Sequence, residues 1–305
     1  MRPASTIVGL GEILWDLLPS GKQLGGAPAN FAYCSHLLGN KAVVASRIGD
    51  DPLGDEIRER LQRAEVCCES LQIDAENPTG TVKVTIDSGG QPSYEIVLPV
   101  AWDFMEWSPH WQPLAESADA VCFGSLAQRS SKSRNAIRQF LDTTREDKLR
   151  VFDINLRQDF YSKHMLEESL QRANIAKLNR DESVILRKVL GLSSGPGDDV
   201  SFCRELMQKF ELRWVCVTYG AEGSLICNEV QEHKHPGFKV AIKDTVGSGD
   251  AFTAGFVHGI LRGQSLAEMN ELANRMGAWV ASCSGAMPSL PAAGLQQTLM
   301  SLRKS

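Results

Sequence analysis

The feature that most constrains this 305-residue chain is the repeated alternation of short, mostly apolar runs with segments of helical period. Ala120-Val121-Cys122-Phe123, Arg150-Val151-Phe152-Asp153-Ile154 and Trp214-Val215-Cys216-Val217-Thr218 have the length and composition of buried strands. Between such runs, Ser131 to Arg145, Lys163 to Ala173, Arg180 to Leu190 and Asp198 to Phe210 read as helices. Strands that alternate with helices predict an α/β fold with a mainly parallel central sheet and helices on both faces. Such sheets hold ligands at the carboxyl ends of their strands, so functional residues are expected just after strands. With 43% hydrophobic residues the chain can build one large core. The Gly-rich stretch from Gly191 to Asp198 reads as a loop within residues 1–305 and not as a domain boundary, because similar helical patterns flank it.

One region departs from this rhythm. From Thr79 the sequence alternates, with Val82, Val84 and Ile86 on one face and Thr81, Lys83 and Thr85 on the other. The run Ser88-Gly89-Gly90-Gln91-Pro92-Ser93 then turns the chain into Tyr94-Glu95-Ile96-Val97-Leu98. This is a hairpin with one wet face, and the alternation fits an edge extension of the sheet as well as a flap over a site.

Charge and cysteine usage exclude several classes. A net charge of -5 without a basic cluster argues against nucleic acid as a partner. The eight cysteines contain no Cys-x-x-Cys pair and lie in apolar or helical surroundings, which reads as reduced thiols in a cytoplasmic protein. The apolar stretch Ile7-Val8-Gly9-Leu10 is too short for a signal peptide, and no run of about 18 apolar residues predicts a membrane span.

The chemistry concentrates at Gly247-Ser248-Gly249-Asp250. Downstream, Phe252, Phe256 and Ile260, with Val257 and Leu261, fall on one helical face, so the Gly-rich turn sits at a helix N-terminus. Free N–H groups and the positive end of the helix dipole favour a phosphate there. Asp250 would repel the same anion, and it fits either a general base that takes a proton from an attacking hydroxyl or an ordinary residue of the first helical turn. The chain has no Gly-x-x-x-x-Gly-Lys-Ser/Thr loop, and Gly9-Leu10-Gly11 is not completed as a dinucleotide fingerprint because Leu14 holds the last position. It also has no Gly-x-Ser-x-Gly elbow and no His-Glu-x-x-His pair.

Asp244-Thr245-Val246-Gly247-Ser248-Gly249-Asp250-Ala251-Phe252-Thr253-Ala254-Gly255-Phe256 resembles the C-terminal signature of the ribokinase (PfkB) carbohydrate kinases. Gly25-Gly26-Ala27-Pro28-Ala29-Asn30-Phe31-Ala32, continuing to Ser46-Arg47-Ile48-Gly49-Asp50-Asp51-Pro52-Leu53-Gly54, resembles their N-terminal signature, in the family's order. The resemblance covers essentially the whole chain. It implies a ribokinase-like fold with a small β lid formed from about 13–24 and 79–102, and a homodimer joined through that lid.

The same resemblance implies roles for individual residues. Asp250 matches the catalytic base, and the amides of Gly247, Ser248 and Gly249 match the anion hole. Asn179 and Glu182 match an Asn-x-x-Glu element that organises magnesium and phosphate through water. Thr218, Gly220 and Gly223 match a nucleotide-contacting turn, which with Asn179, Gly249 and Gly285 makes the ATP site. Asp244, Val246, Cys283, Gly285 and Ser289 match a monovalent-cation loop, where potassium is the expected ion although Cys283 departs from the residues common there. Asp16, Gly26 and Asn30 match polyol-binding positions, and Arg157 in Asp153-Ile154-Asn155-Leu156-Arg157 resembles a strand end of fructokinases and ketodeoxygluconate kinases.

The expected activity is transfer of the γ-phosphoryl of ATP, with magnesium, to a primary hydroxyl of a small sugar. The form Gly-Gly-Ala-Pro-Ala-Asn and the Asn155-Leu156-Arg157 segment are similar to fructokinases, so D-fructose is the first expected acceptor. Ketodeoxygluconate follows, because its carboxylate would suit Arg157, and ribose or nucleosides come third. A sugar or nucleotide sensor on the same scaffold is the rival from another class, and it would not need an intact Asp250 and Gly-rich turn.

Overall fold

A computed structural model describes residues 4–19, 21–86 and 92–304; the expected turn at 87–91 and the side chains of Val84 and Ile86 lie outside the described residues. The chain opens on β1 (Thr6–Leu10), which occupies an interior position in a nine-stranded sheet. On one side β1 pairs in parallel with β4 (Lys41–Gly49), and β4 pairs with β5 (Leu71–Asp74). On the other side the parallel series runs through β8 (Ala120–Gly124), β9 (Leu149–Asp153), β10 (Ile175–Asn179) and β11 (Trp214–Thr218). Two antiparallel strands, β12 (Ser224–Asn228) and β13 (Glu232–His235), close that edge.

The strand order therefore reverses at β1, between β4 and β8. A crevice opens at the carboxyl ends of strands where the order reverses, because the connecting chains leave in opposite directions.

Each parallel strand divides its side chains between two hydrophobic layers, as a period of two requires. Ile7, Val44, Cys122 and Val151 join one layer, while Val8, Val43, Phe123 and Phe152 join the other. The first layer is covered by α1 (Ala27–Leu37), α2 (Pro52–Arg63), α8 (Ser248–Arg262), α9 (Leu266–Ala281) and α10 (Leu295–Ser301). The second is covered by α3 (Trp111–Ser117), α4 (Ser131–Thr143), α5 (Lys163–Arg172), α6 (Arg180–Leu190) and α7 (Asp199–Phe210). Both faces of the sheet are dry, and for that reason its strands read as continuous apolar runs.

A second sheet of four strands has the order β3-β2-β6-β7, from β2 (Leu14–Leu18), β3 (Gly21–Gly25), β6 (Gly80–Ile86) and β7 (Pro92–Ile96). Its centre is the parallel pairing of Leu14–Leu17 with Gly80–Lys83, two segments far apart in the chain. β7 starts at a proline on an outer edge, where the missing N–H leaves no ladder bond unmade. The alternation of β6 is resolved at Val82, which is buried, and Lys83, which is exposed. Beyond Ile96 the chain leaves this sheet, and Ala101–Phe104 forms a 3₁₀ turn that buries Trp102 in the core. All eight cysteines are free thiols, five of them buried. No helix among the described residues is long and apolar enough to cross a membrane.

Candidate active site

The Gly-rich turn ends in the first turn of α8. Gly247, at φ 78°, is the N-cap, and a Cβ there would come within 2.5 Å of the Ala286 Cβ, so only glycine lets this turn lie against the loop that holds Gly285. Asp250 is the third residue of the helix. Of the three amides expected to hold an anion, that of Ser248 already donates to the Thr245 carbonyl at 3.2 Å, and its hydroxyl donates to the same oxygen.

Asp250 accepts a 2.8 Å hydrogen bond from the Asn30 amide in α1, which joins the two sequence signatures directly. Burial raises the Asp250 carboxyl to about 6, and the Asp153 charge adds to the rise, while Lys177, the Asn30 bond and Arg157 oppose it. The outcome is a carboxylate at neutral pH with a raised affinity for a proton.

Behind this turn lies a buried ion pair that the sequence reading did not single out. Asp153 ends β9 and Lys177 stands opposite it in β10, with Nζ 3.1 Å from both carboxylate oxygens. Thr253 in α8 donates to the same carboxylate at 3.1 Å. Burial by itself would depress the Lys177 ammonium, but Asp153, Glu182 and Asp250 more than reverse this and raise its pKa. A Cβ on Gly249 would sit 2.8 Å from Lys177 Nζ, so the lysine places a fixed positive charge directly beneath the Gly-rich turn. The available signal was a lone lysine inside the apolar run Ile175-Ala176-Lys177-Leu178.

Asn179 and Glu182 form a reciprocal cap at the start of α6. The Asn179 side chain accepts from the Glu182 amide at 2.9 Å, and Glu182 Oε2 accepts from the Asn179 amide at 2.8 Å. Glu182 Oε1 takes a third bond, from the Leu156 amide at 2.9 Å. Both oxygens of this buried carboxylate thus keep a lone pair beyond their backbone bonds, and burial raises its pKa.

On the opposite wall, Asp16 projects from β2 and is raised to about 6, first by burial and then by the Asp244 charge, with Arg157 opposing. Gly26 at φ 105° is the N-cap of α1, Asn30 is buried one turn further on, and Glu12 follows β1. Arg157 is exposed, and its guanidinium donates to the Leu156 carbonyl at 3.0 Å. Asp16, Asn30, Arg157, Glu182 and Asp250 all line one cavity of about 870 Å³ at the carboxyl ends of the strands. Val82 and Ile96 of the small sheet line it as well.

A second cavity of about 320 Å³ adjoins it and is more apolar, with Phe238, Phe252 and Ala278 among its walls. Thr218, Gly220 and Gly249 border both cavities, and Gly223 borders the second. The Gly223 turn is also the β11–β12 hairpin, and a Cβ there would strike the His235 carbonyl at 1.9 Å. The residues expected around a monovalent cation are assembled in part. Asp244 accepts from the Val246 amide at 3.0 Å and from the Gly285 amide at 3.1 Å, tying two loops together, while Cys283 is half-buried and Ser289 is exposed.

Residues 20–293 match the family model of the pfkB carbohydrate kinases. The chain belongs to the PfkB family. As a PfkB kinase it is a phosphotransferase with an alcohol group as acceptor. It is 32% identical over 302 residues to a fructokinase of Escherichia coli, covering 92% of this chain and 95% of the relative. A sugar kinase of Pyrococcus horikoshii solved in complex with ATP superposes with a TM-score of 0.78 at 27% identity, over 92% of this chain and 94% of the other. A fructokinase of Vibrio cholerae O395, bound to fructose, ADP and calcium ion, superposes at 0.80 with 25% identity, over 97% and 98% of the two chains.

The buried pair beneath the turn generates a direct test. Lys177→Met should lower stability by about 3–5 kcal/mol, because it leaves Asp153 buried without its counter-charge. Chemical denaturation should show an earlier midpoint, and the double replacement Lys177→Met with Asp153→Leu should recover much of the loss. An unchanged midpoint in the single variant would show that the pair does not hold the two strands and α8 together.

Proposed function

We propose that this PfkB kinase transfers the γ-phosphoryl of ATP to a primary hydroxyl of a small sugar, with D-fructose as the first acceptor. The observation that carries the reading is the place of Asp250: it lies in the wall of the larger cavity, at the turn that borders the second cavity too, within hydrogen-bond reach of Asn30. The smaller, more apolar cavity suits an adenosine moiety, and the phosphates would then lie along the Thr218, Gly220 and Gly249 border. The ATP-bound and ADP-bound relatives support the choice of nucleotide.

In this arrangement the sugar hydroxyl faces Asp250. The carboxylate accepts its proton as the oxygen forms a bond to the γ-phosphorus, and the bond from that phosphorus to the bridging oxygen breaks to release ADP. The helix start of α8, with Lys177 behind it, offers positive potential to the oxygens of the transferring group. Magnesium fits Glu182, whose remaining lone pairs can meet it through water, and when bound with the nucleotide it would neutralise phosphate charge. Leu14, Val82 and Ile96 of the small sheet give the cavity an apolar roof, which supports a lid role in keeping water from competing with the sugar.

Fructose is favoured by the sequence similarity to fructokinases. A second reading, ketodeoxygluconate, is favoured by Arg157, whose exposed guanidinium borders the cavity and can take a carboxylate in bidentate fashion. A coupled ADP-release assay with Mg-ATP against fructose, ketodeoxygluconate, ribose, adenosine and fructose 6-phosphate separates these. Selectivity for fructose supports the first reading, and no turnover with any of the five removes both.

Asp250→Asn should keep the fold and nucleotide binding while lowering kcat by about 10²–10⁴; near-normal turnover would remove Asp250 from the base role. With its carboxyl raised to about 6, kcat/KM should be level above that pH and fall toward tenfold per unit below it, as the base becomes protonated. A profile flat down to pH 5 would contradict this. Arg157→Ala should raise the sugar KM and leave that of ATP near wild type, and an unchanged sugar KM would show that Arg157 does not hold the sugar.

A further inference from the structure

Two buried acceptors in the wall of the larger cavity have no hydrogen-bond partner, Glu12 Oε2 and Asn30 Oδ1. Asn30 donates through Nδ2 to Asp250, and its oxygen is left in need of a donor. Glu12 is 1% exposed and follows β1, where the strand order reverses. The backbone amides of Glu12 itself and of Ala27, the first residue of α1, lower its pKa, and Oε2 has no hydrogen-bond partner. A buried polar atom left without a partner costs about 1–3 kcal/mol, so two of them beside one cavity point to a ligand that brings the missing donors.

The chemistry of Glu12 suits a hydroxyl. Burial raises its carboxyl to about 7, the Asp250 charge from α8 adds to the rise, and the Arg157 charge from the segment after β9 opposes it. Near neutrality the group exists in both forms. The carboxylate accepts from a hydroxyl at Oε2, and the acid retains acceptor capacity, whereas an amide nitrogen at that position can only donate.

We propose that Glu12 Oε2 and Asn30 Oδ1 together receive hydroxyl groups of the acceptor, which makes Glu12 a specificity-determining residue for polyol substrates. This rests on the sugar-kinase reading of the cavity. Its consequence is that the sugar is gripped on the side of Asn30 away from the Asp250 bond, so one residue, Asn30, orients both the base and the acceptor. A substrate lacking the hydroxyl that meets Glu12 leaves the carboxyl unpaired again, and discrimination against such analogues is strong because the cost falls on the protein.

The test compares wild type with Glu12→Gln, which keeps the shape and replaces one carboxylate oxygen by an amide nitrogen, using the preferred sugar of the ADP-release panel and its monodeoxy analogues. The variant should raise the KM of the parent sugar by ~10-fold or more while the KM of ATP stays within about twofold. For one monodeoxy analogue the difference between wild type and variant should vanish, since the hydroxyl that Glu12 receives is gone. Equal KM values for the parent sugar would overturn the inference. So would a uniform loss with every analogue and with ATP, which would assign Glu12 to holding the start of α1. Glu12→Asp, with its thermal melt recorded beside wild type, guards against a folding defect and should give an intermediate KM for the parent sugar. A wild-type enzyme that turns over no sugar would sink the underlying reading instead, and the two failures are thereby distinct.

Discussion

The ion pair between Asp153 and Lys177 is the interaction on which the rest of the site depends. Two unit charges in a dry environment are costly unless they meet each other and further hydrogen-bond partners, and here Thr253 supplies the additional bond. The pair links β9 to β10, and through Thr253 it links both strands to α8. Since Lys177 also fills the space next to Gly249, the position of the Gly-rich turn relative to the sheet follows from an electrostatic constraint as well as from packing. Asp153, Glu182 and Asp250 together raise the pKa of this lysine, which favours its charged form.

A second constraint acts across the sequence. Asn30 lies in the first helix and Asp250 in the eighth, and they touch because α1 and α8 pack side by side over the same face of the sheet. The two parts of the cavity wall that meet at this bond are thus built from opposite ends of the chain. The small sheet repeats this pattern, because its central pairing joins residues 14–17 to residues 80–83. Contacts of high sequence separation are what make the cavity a single enclosure.

Much of this architecture was legible in the sequence. Helix α6 was read at its true bounds, and β11 likewise, because both are strongly periodic segments with clear polar boundaries. The cavity at the strand ends follows from the parallel sheet: of its lining residues, Asn179 and Thr218 end β10 and β11, and Glu12 lies just beyond β1. The side chains that escaped notice share a physical reason. Lys177 and Glu12 are charged residues inside or beside apolar runs, and their meaning lies in partners that are distant in sequence, which no local pattern records. Glu182 shows the opposite limit, since its helix-capping role and its place in the cavity wall use the same atoms, and both readings of the residue describe one geometry.

The division of the sheet into two layers has a consequence for how this chain is made. The underside of β8 to β12, including Cys122, Val151, Ile175, Cys216 and Ile226, belongs to the layer completed by α8, α9 and α10. Those three helices come from the last quarter of the chain, after every strand of the large sheet has been synthesised. A growing chain therefore presents a broad apolar sheet surface with nothing to cover it until translation is nearly finished, and partly made chains are prone to aggregate by the same physics that later seals the core. A product cut short before α8 would lack Asp250 and would leave that surface bare.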